Sequence, residues 1–414
     1  MAAPEITLLT LSRGGWGEAA FGLHLARQLS TVGFRPCFLS HTSNLRLLAD
    51  TGFECHGVGD HIGNLFLSMV QSHVDERRSC AIVLCDFLTS DGVMRRFGVD
   101  AQALNSLGPE VIAVDTWGHA NNLRNIDVFI GGSIVVRDWI SQLPCLKPSP
   151  FLPPDGSVGN CSFIDGAAPV SKSVRQHVRS GLGLVPTQKV VLLCTARWQQ
   201  TAYANAHGDR TAVAFADLLA TYLEELPESV VLLHVGPERM PALARLGPRY
   251  RWLPPLGSKF DLAMNSADLL LSTNASASTV SRSIFSKLPV IVLQNSCKAD
   301  SLEEALAWLG SRRTEAVEKW LGTALPIYPF SLWPIGFFNL MSPLIRSNPY
   351  WEALEPVEWL DKTAFQSSMT GLLFDQARGD RLRERQEYFC RRVSELPTAA
   401  SALVSLMGES LCAA

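Results

Sequence analysis

The chain lacks several signatures that would fix its class at once. Its ten cysteines, at positions 37, 55, 80, 85, 145, 161, 194, 297, 390 and 412, form no CxxC pair, so the short spacing of a structural zinc site is missing. No D-x-D occurs, so a carboxylate-held divalent metal is not suggested and the expected metal inventory is none. No apolar run reaches the roughly 20 unbroken residues that a transmembrane helix needs. Neither sign of charge dominates: 36 Lys and Arg stand against 39 Asp and Glu, a net charge of −3. That balance argues against nucleic acid or an acidic membrane as the main partner. No repeat of solenoid length is present.

What is present is the composition of a soluble globular protein, 47% hydrophobic and 18% charged, and 414 residues are enough for two or more domains. Cys85 and Cys194 sit in apolar stretches, where a free thiol acts as a small hydrophobe. Scattered thiols imply a reducing cytoplasm. The first residues, Met1 to Glu5, run straight into an apolar segment and do not read as a signal peptide.

Apolar runs alternate with helical periodicity along the first half. Strands are expected at Ile6 to Leu11, Arg35 to Leu39, Ala81 to Cys85, Val111 to Val114 and Val128 to Ile130. Between the first two, Glu18 to Thr31 places Phe21, Leu25 and Leu29 on one helical face. Such alternation implies βαβ units and a parallel sheet. Between Pro144 and Pro169, prolines and glycines punctuate the chain and suggest a connection. Alternation then restarts with Val190 to Leu193, Ala212 to Leu226 and Val230 to Val235. The expected fold is therefore α/β, with two Rossmann-like doubly wound domains in tandem. The expected divisions are residues 1–150, a Pro/Gly-rich linker at 151–170, a second domain at 171–325, and an aromatic, Pro-rich segment with C-terminal helices at 326–414. Tyr328, Phe330, Trp333, Phe337, Phe338, Tyr350 and Trp351 in that last part read as an irregular wrap on the core, or as a wall for an apolar acceptor.

The most informative stretch runs from Ala267 to Leu293. A short apolar strand, Leu269 to Ser272, leads into a loop of small side chains, then into a helix with Val280, Ile284 and Leu288 on one stripe, and Pro289 precedes the next strand. A loop without bulk that opens a helix at a sheet's carboxyl edge suits an anion such as a phosphate. Ser276, Ser278 and Thr279 are the candidate contacts, and Arg282 is a candidate cation. Upstream, Arg197 follows the strand at Val190 and would place a second cation near a diphosphate. His234 and Gly236 end the next strand, and the backbone around Leu253 is placed to read a base.

In the first half, the turn Ser12-Arg13-Gly14-Gly15-Trp16-Gly17-Glu18 joins strand to helix. Gly15 and Gly17 allow a sharp turn and close approach to a ligand, but the pattern is not GxGxxG, so a dinucleotide site is weakly supported. Glu18, at a helix start, either complements the dipole or serves as a general base. Asp86 and Asp115 follow the strands at Ala81 and Val111, where parallel strands deliver side chains to one edge; each alone reads equally as a loop cap. His119, just beyond, would relay a proton or cap a loop.

The glycine-rich first turn, the Pro-rich middle and the stretch ADLLLSTNASASTVSRSIFSKLPVIVL together resemble GT-B glycosyltransferases that use nucleotide sugars. Ser276, Ser278, Thr279 and the Leu288-Pro289 exit match that family's donor signature. Arg282 stands where the family keeps a ribose-holding Glu, and Lys287 stands where it keeps a Gly. The resemblance implies two domains facing across a cleft and transfer of a hexosyl or related sugar from a nucleoside-diphosphate sugar, a co-substrate rather than a cofactor, to a small-molecule hydroxyl or amine. It implies Glu18 as base, supported by Asp86, Asp115 and His119. Two other readings stay open: a non-hydrolysing nucleotide-sugar 2-epimerase, and a degenerate binding partner without activity. Oligomeric state is not legible.

Overall fold

The computed structural model describes residues 3–13, 17–116, 125–129, 132–135, 142–152, 159–167, 169–196, 210–255, 259–275, 277–297, 299, 301–324 and 348–408. The chain forms two compact units. The first comprises Met1–Ile126, Val135–Ile164 and Arg391–Ala414; the second comprises Asp127–Ile134 and Asp165–Cys390.

In the first unit the strands are β1 (Glu5–Thr10), β2 (Arg35–His41), β3 (Glu54–Val58), β4 (Ser79–Leu84) and β5 (Glu110–Val114). A separate two-stranded sheet, β6 (Asn125–Phe129) with β7 (Gly132–Val135), comes next in the chain. The main sheet is completed by β8 (Cys145–Pro148) and β9 (Asn160–Cys161), in the order β3-β2-β1-β4-β5-β8-β9. All its described pairings are parallel. The helices α1 (Gly17–Thr31), α2 (Leu45–Leu48), α3 (Phe66–Arg77) and α4 (Phe87–Arg96) carry the crossovers. Every residue of β1 is buried, as expected for a central parallel strand covered on both faces.

Phe21, Leu25 and Leu29 of α1 form a buried stripe on this sheet. Each fully buried aliphatic or aromatic side chain of that kind contributes about 1.5–3 kcal/mol. Gly22 lets α1 approach closely: a Cβ there would stand 3.2 Å from Cys85 Sγ and from carbons of Phe38 and Thr10. The helix Ala399–Met407 returns to this unit, where Leu403 and Met407 join its core and Ala400 N donates to Gln28 Oε1 at 3.1 Å.

In the second unit, β10 (Lys189–Cys194), β11 (Val230–Val235), β12 (Tyr250–Leu253), β13 (Leu269–Ser272), β14 (Val290–Gln294) and β15 (Glu355–Glu358) form a parallel sheet in the order β12-β11-β10-β13-β14-β15. Trp359, Trp320, Tyr222 and Phe365 anchor its core, with Tyr222 Oη donating to the Trp359 carbonyl at 3.2 Å. Asp268 clasps the lower edge: its Oδ2 accepts the Val190 N–H at 2.7 Å, while Arg175 and Arg179 pair with the carboxylate at 2.7 and 3.3 Å.

Both sheets reverse strand order beside the first strand of their unit, between β1 and β4 and between β10 and β13. Crevices outside the carboxyl ends of strands at such switch points are where doubly wound sheets bind ligands. Strands β3 and β15 lie at sheet edges, where Gly57 and Pro356 weaken the apolar signal. The Pro/Gly-rich stretch contributes β9 to the first sheet, and the main segment of the second unit starts at Asp165. Of the aromatic segment, residues 325–347 lie outside the described part. Tyr350 is buried, donating to the Ala275 carbonyl at 3.0 Å. Among the described residues no helix is long and apolar enough to cross a membrane.

Lys287 explains how the exit turn works without glycine. Its φ is +59°, in the left-handed region. Lys287 N donates to Ile284 O at 3.1 Å and Leu288 N to Ser283 O at 2.9 Å, the paired bonds of a Schellman cap. A left-handed non-glycine residue costs about 1–2 kcal/mol. Lys287→Gly is therefore expected to keep the turn and stabilise the chain by about 0.5–1 kcal/mol after its extra unfolded-state entropy is counted. Urea unfolding midpoints check this; a destabilised variant would show that the lysine side chain holds the turn.

Candidate functional site

Glu18, Asp86 and Asp115 come together at the carboxyl edge of the first sheet, following β1, β4 and β5. Glu18 is in the first turn of α1 and only 6% exposed. Its Oε2 accepts the Ser12 N–H at 2.6 Å, and its Oε1 accepts the Ser90 hydroxyl at 3.2 Å. Burial, reinforced by the Asp86 charge, raises this carboxyl from an ordinary 4.5 to about 8, against the pull of the Ser12 and Leu11 amides and the Ser90 hydroxyl. Helix-dipole compensation, worth about 0.3–1 kcal/mol, is therefore the smaller effect at Glu18.

Asp86 caps α4, its Oδ1 accepting the Thr89 N–H at 3.1 Å. Burial raises its pKa despite that bond, and the nearby Asp115 charge adds to the rise. Asp115 is 1% exposed, with its N–H donating to Leu146 O at 2.8 Å. Asp86 thus combines the cap role with membership of the acidic cluster. The loop beneath is braced by Asn44, whose amide donates to the Thr10 and Ser12 carbonyls at 3.2 and 3.0 Å.

At the switch point of the second sheet, Thr195 follows β10 and His234 lies in β11. His234 is fully buried. Its Nε2 is 2.8 Å from Thr195 Oγ1, and its Nδ1 is 2.8 Å from Tyr250 Oη. Desolvation lowers its pKa to about 4, so the ring is neutral at pH 7. Tyr250 Oη already accepts the Met240 N–H at 3.2 Å. In either tautomer the His234 ring links Tyr250 Oη to Thr195 Oγ1. His234 therefore positions Thr195 from below. Gly236 is required here, because a Cβ would fall 2.2 Å from Thr195 Oγ1 and 2.7 Å from His234 Nε2. Leu253 is engaged through its carbonyl, which accepts the Gly236 N–H at 3.1 Å.

Beyond β13, Ser272 Oγ donates to Asn274 O at 2.9 Å and accepts the Asn274 N–H at 3.3 Å, forming a tight turn. The helix Ser278–Phe285 then starts with Ala277 as its cap residue, and Ser278 and Thr279 are half-buried in its first turn. That is the anion-favouring geometry expected from sequence. Arg282 is placed differently. Its guanidinium pairs with Asp165 at 3.3 Å and Asp261 at 2.6 Å and lies over the Phe260 ring at 5.4 Å. Two carboxylates and an aromatic face hold it. Gly17 is exposed at the start of α1. Gly15, His119, Arg197 and Ser276 lie outside the described residues.

Sequence reasoning missed Ser12, Ser90, Thr195, Tyr250, Asp165 and Asp261. Ser90 stands four residues after Asp86, just beyond the strand expected at Ala81 to Cys85. The others are joined only through tertiary contacts.

Residues 25–410 match a family described as a family of unknown function, DUF6365. The chain belongs to that family. Its sequence matches no functionally curated protein. Among solved structures, the DUF6365 chain is similar to Anabaena Alr3699/HepE in complex with UDP-glucose, at 13% identity and a TM-score of 0.55 over 99% of this chain and 100% of the other. Staphylococcus aureus MnaA, solved with UDP, aligns at 11% identity and a TM-score of 0.56 over 95% and 99%. The glycosyltransferase VinC, in complex with dTDP, aligns at 12% identity and 0.51 over 97% and 98%. Matches of this extent establish the GT-B-type fold.

Two outcomes follow for the DUF6365 site. Gly236→Ala is expected to push Thr195 from His234 and destabilise the chain by about 1–3 kcal/mol, read by urea unfolding; unchanged stability would mean the turn relaxes freely. The raised Glu18 pKa favours the folded state at low pH, and that stabilisation is lost as pH rises from 4.5 through about 8. Glu18→Gln, which mimics the protonated acid, should gain stability relative to the native chain between pH 5 and 9. A constant difference across that range would contradict the raised pKa.

Proposed function

We propose that the chain is a glycosyltransferase that moves a hexosyl or related sugar from a nucleoside-diphosphate sugar to a hydroxyl or amine of a small-molecule acceptor. The observation that carries this is the Glu18 carboxyl, raised to about 8 beside Asp86 at the switch point of a GT-B-type unit. A buried acid poised near neutral pH suits general-base work. The whole-length likeness to structures holding UDP-glucose, UDP and dTDP supports a nucleotide-linked donor.

In this reading the ionised Glu18 takes the acceptor proton. The acceptor oxygen or nitrogen bonds to the anomeric carbon as the bond from that carbon to the diphosphate oxygen breaks. The nucleoside diphosphate leaves with the electron pair. Asp86 and Asp115 orient the acceptor. In the second unit, the first turn of the helix Ser278–Phe285 and the hydroxyl of Thr195 receive the diphosphate, with Ser276 and Arg197 added from sequence alone. Positive potential at that helix end stabilises the departing charge. The absence of D-x-D supports transfer without a carboxylate-held metal.

A panel of nucleoside diphosphates in a thermal-shift assay, followed by turnover with the matching donor sugars, tests the reading. A ligand at about 100 times its Kd adds roughly 2.7 kcal/mol. Glu18→Gln is expected to lower turnover about 10²- to 10⁴-fold while leaving the nucleotide shift in place. Equal loss of both would remove Glu18 as base. Epimerised sugar formed without acceptor would replace the transferase reading with an epimerase.

A further inference from the structure

The edge of the first sheet holds a second cluster that the transferase reading does not use. Cys37 of β2, His56 of β3 and His73 of α3 bring one ligand atom each to within 4.8 Å of one another. Register explains the gathering. Cys37 pairs with Glu54, and His56 lies two residues further along β3, so all three side chains share one face. Helix α3 crosses that face and supplies His73. Cys37 and His73 are buried, while His56 is at the surface. Cys37 is near the start of β2, away from the carboxyl edge that carries Glu18.

One feature is unexplained by packing. His73 is 7% exposed, and its Nε2 has no hydrogen-bond partner. A buried imidazole nitrogen left unpaired costs about 1–3 kcal/mol unless something fills the place. The surroundings resemble the outer shell of a metal site. His56 Nε2 is 3.1 Å from Glu54 Oε1 and 3.4 Å from Arg77 Nη2; the tautomer that gives its Nε2 proton to Glu54 keeps a lone pair on Nδ1. Glu54 is itself held by Arg77. Glu5 Oε1, buried without a hydrogen bond, is ion-paired with Arg77 Nη1 at 3.7 Å. Arg35 also reaches Glu5 and Glu54, at 3.7 and 3.5 Å, so a Cys37 thiolate with these two carboxylates would set three negative charges against Arg35, Arg77 and a dication.

We propose that Cys37, His56 and His73 form a binding site for a borderline-soft divalent cation of the zinc class, with solvent at the fourth position. With Zn–S near 2.3 Å and Zn–N near 2.0–2.1 Å, tetrahedral ligand atoms stand about 3.4–3.6 Å apart. Side-chain rotation closes the remaining distance from 4.8 Å. The ion would pin the β2–β3 edge to α3, and it sits apart from sugar transfer. The ligand positions 37, 56 and 73 are too far apart in sequence to form a spacing motif.

The test is cobalt titration of the full chain after chelator treatment. One Co²⁺ per chain, with a thiolate-to-cobalt absorption in the near ultraviolet and intense tetrahedral visible bands, is expected. Cys37→Ser should abolish the thiolate absorption. His56→Ala, at an exposed position, should weaken Zn²⁺ binding at least about 100-fold in competition with a chromophoric chelator, and should remove the Zn²⁺-dependent rise in Tm. No thiolate absorption in the native chain would overturn the proposal. So would an absorption that persists in Cys37→Ser, or equal Zn²⁺ stabilisation of the native chain and His56→Ala. If Cys37→Ser does not fold, His56→Ala decides.

Discussion

The functional account depends on withdrawing one carboxyl group from water. Glu18 is held at the end of β1 by the Ser12 amide and the Ser90 hydroxyl, with Asp86 nearby. Those hydrogen bonds favour the anion, yet burial outweighs them. The result is a group that is mostly protonated at neutral pH and can ionise within the physiological range. A fully solvated carboxylate at the same helix start would complement the dipole and do little else. The local chemistry therefore follows from packing, in a helix that lies close to the sheet over Gly22 and carries Glu18 buried in its first turn.

The same topological constraint organises the second unit. Its sheet reverses between β10 and β13, and a threonine, Thr195 or Thr273, directly follows each of those strands. Beneath them lies a neutral, buried His234 linked to Thr195 and Tyr250. A charged histidine there would have to be desolvated, so it serves orientation rather than proton transfer. Arg282 is a comparable case of charge bound by its surroundings. Asp165 and Asp261 neutralise it, which lets a cation occupy a position where the resembled family carries an acid.

Much of the fold was legible because parallel sheets write themselves as short apolar runs separated by amphipathic helices. Val230–Val235 and Leu269–Ser272 match their expected bounds. Edge strands were not legible, since half-exposed β3 and proline-bearing β15 carry little apolar periodicity. The three acids at the first sheet's edge were legible as positions, because each directly follows a central strand or its turn. Their electrostatics were not, because the Glu18 pKa comes from residues up to 72 positions away, such as Ser90. The two aspartates beside Arg282 were not legible either, because Asp165 and Asp261 reach it only through tertiary contacts. The cysteine and histidines of the β2–β3 edge were likewise invisible, since register and a helix crossing bring them together.

The central claim is that Glu18 titrates near neutral pH within the acidic cluster. Carboxyl ¹³C resonances of glutamate-labelled protein, with Glu18 assigned by its loss in Glu18→Gln, measure this directly. A titration midpoint near 8 is the expected result. A midpoint near the ordinary 4.5 would leave Glu18 a solvated helix-start acid and would contradict the account.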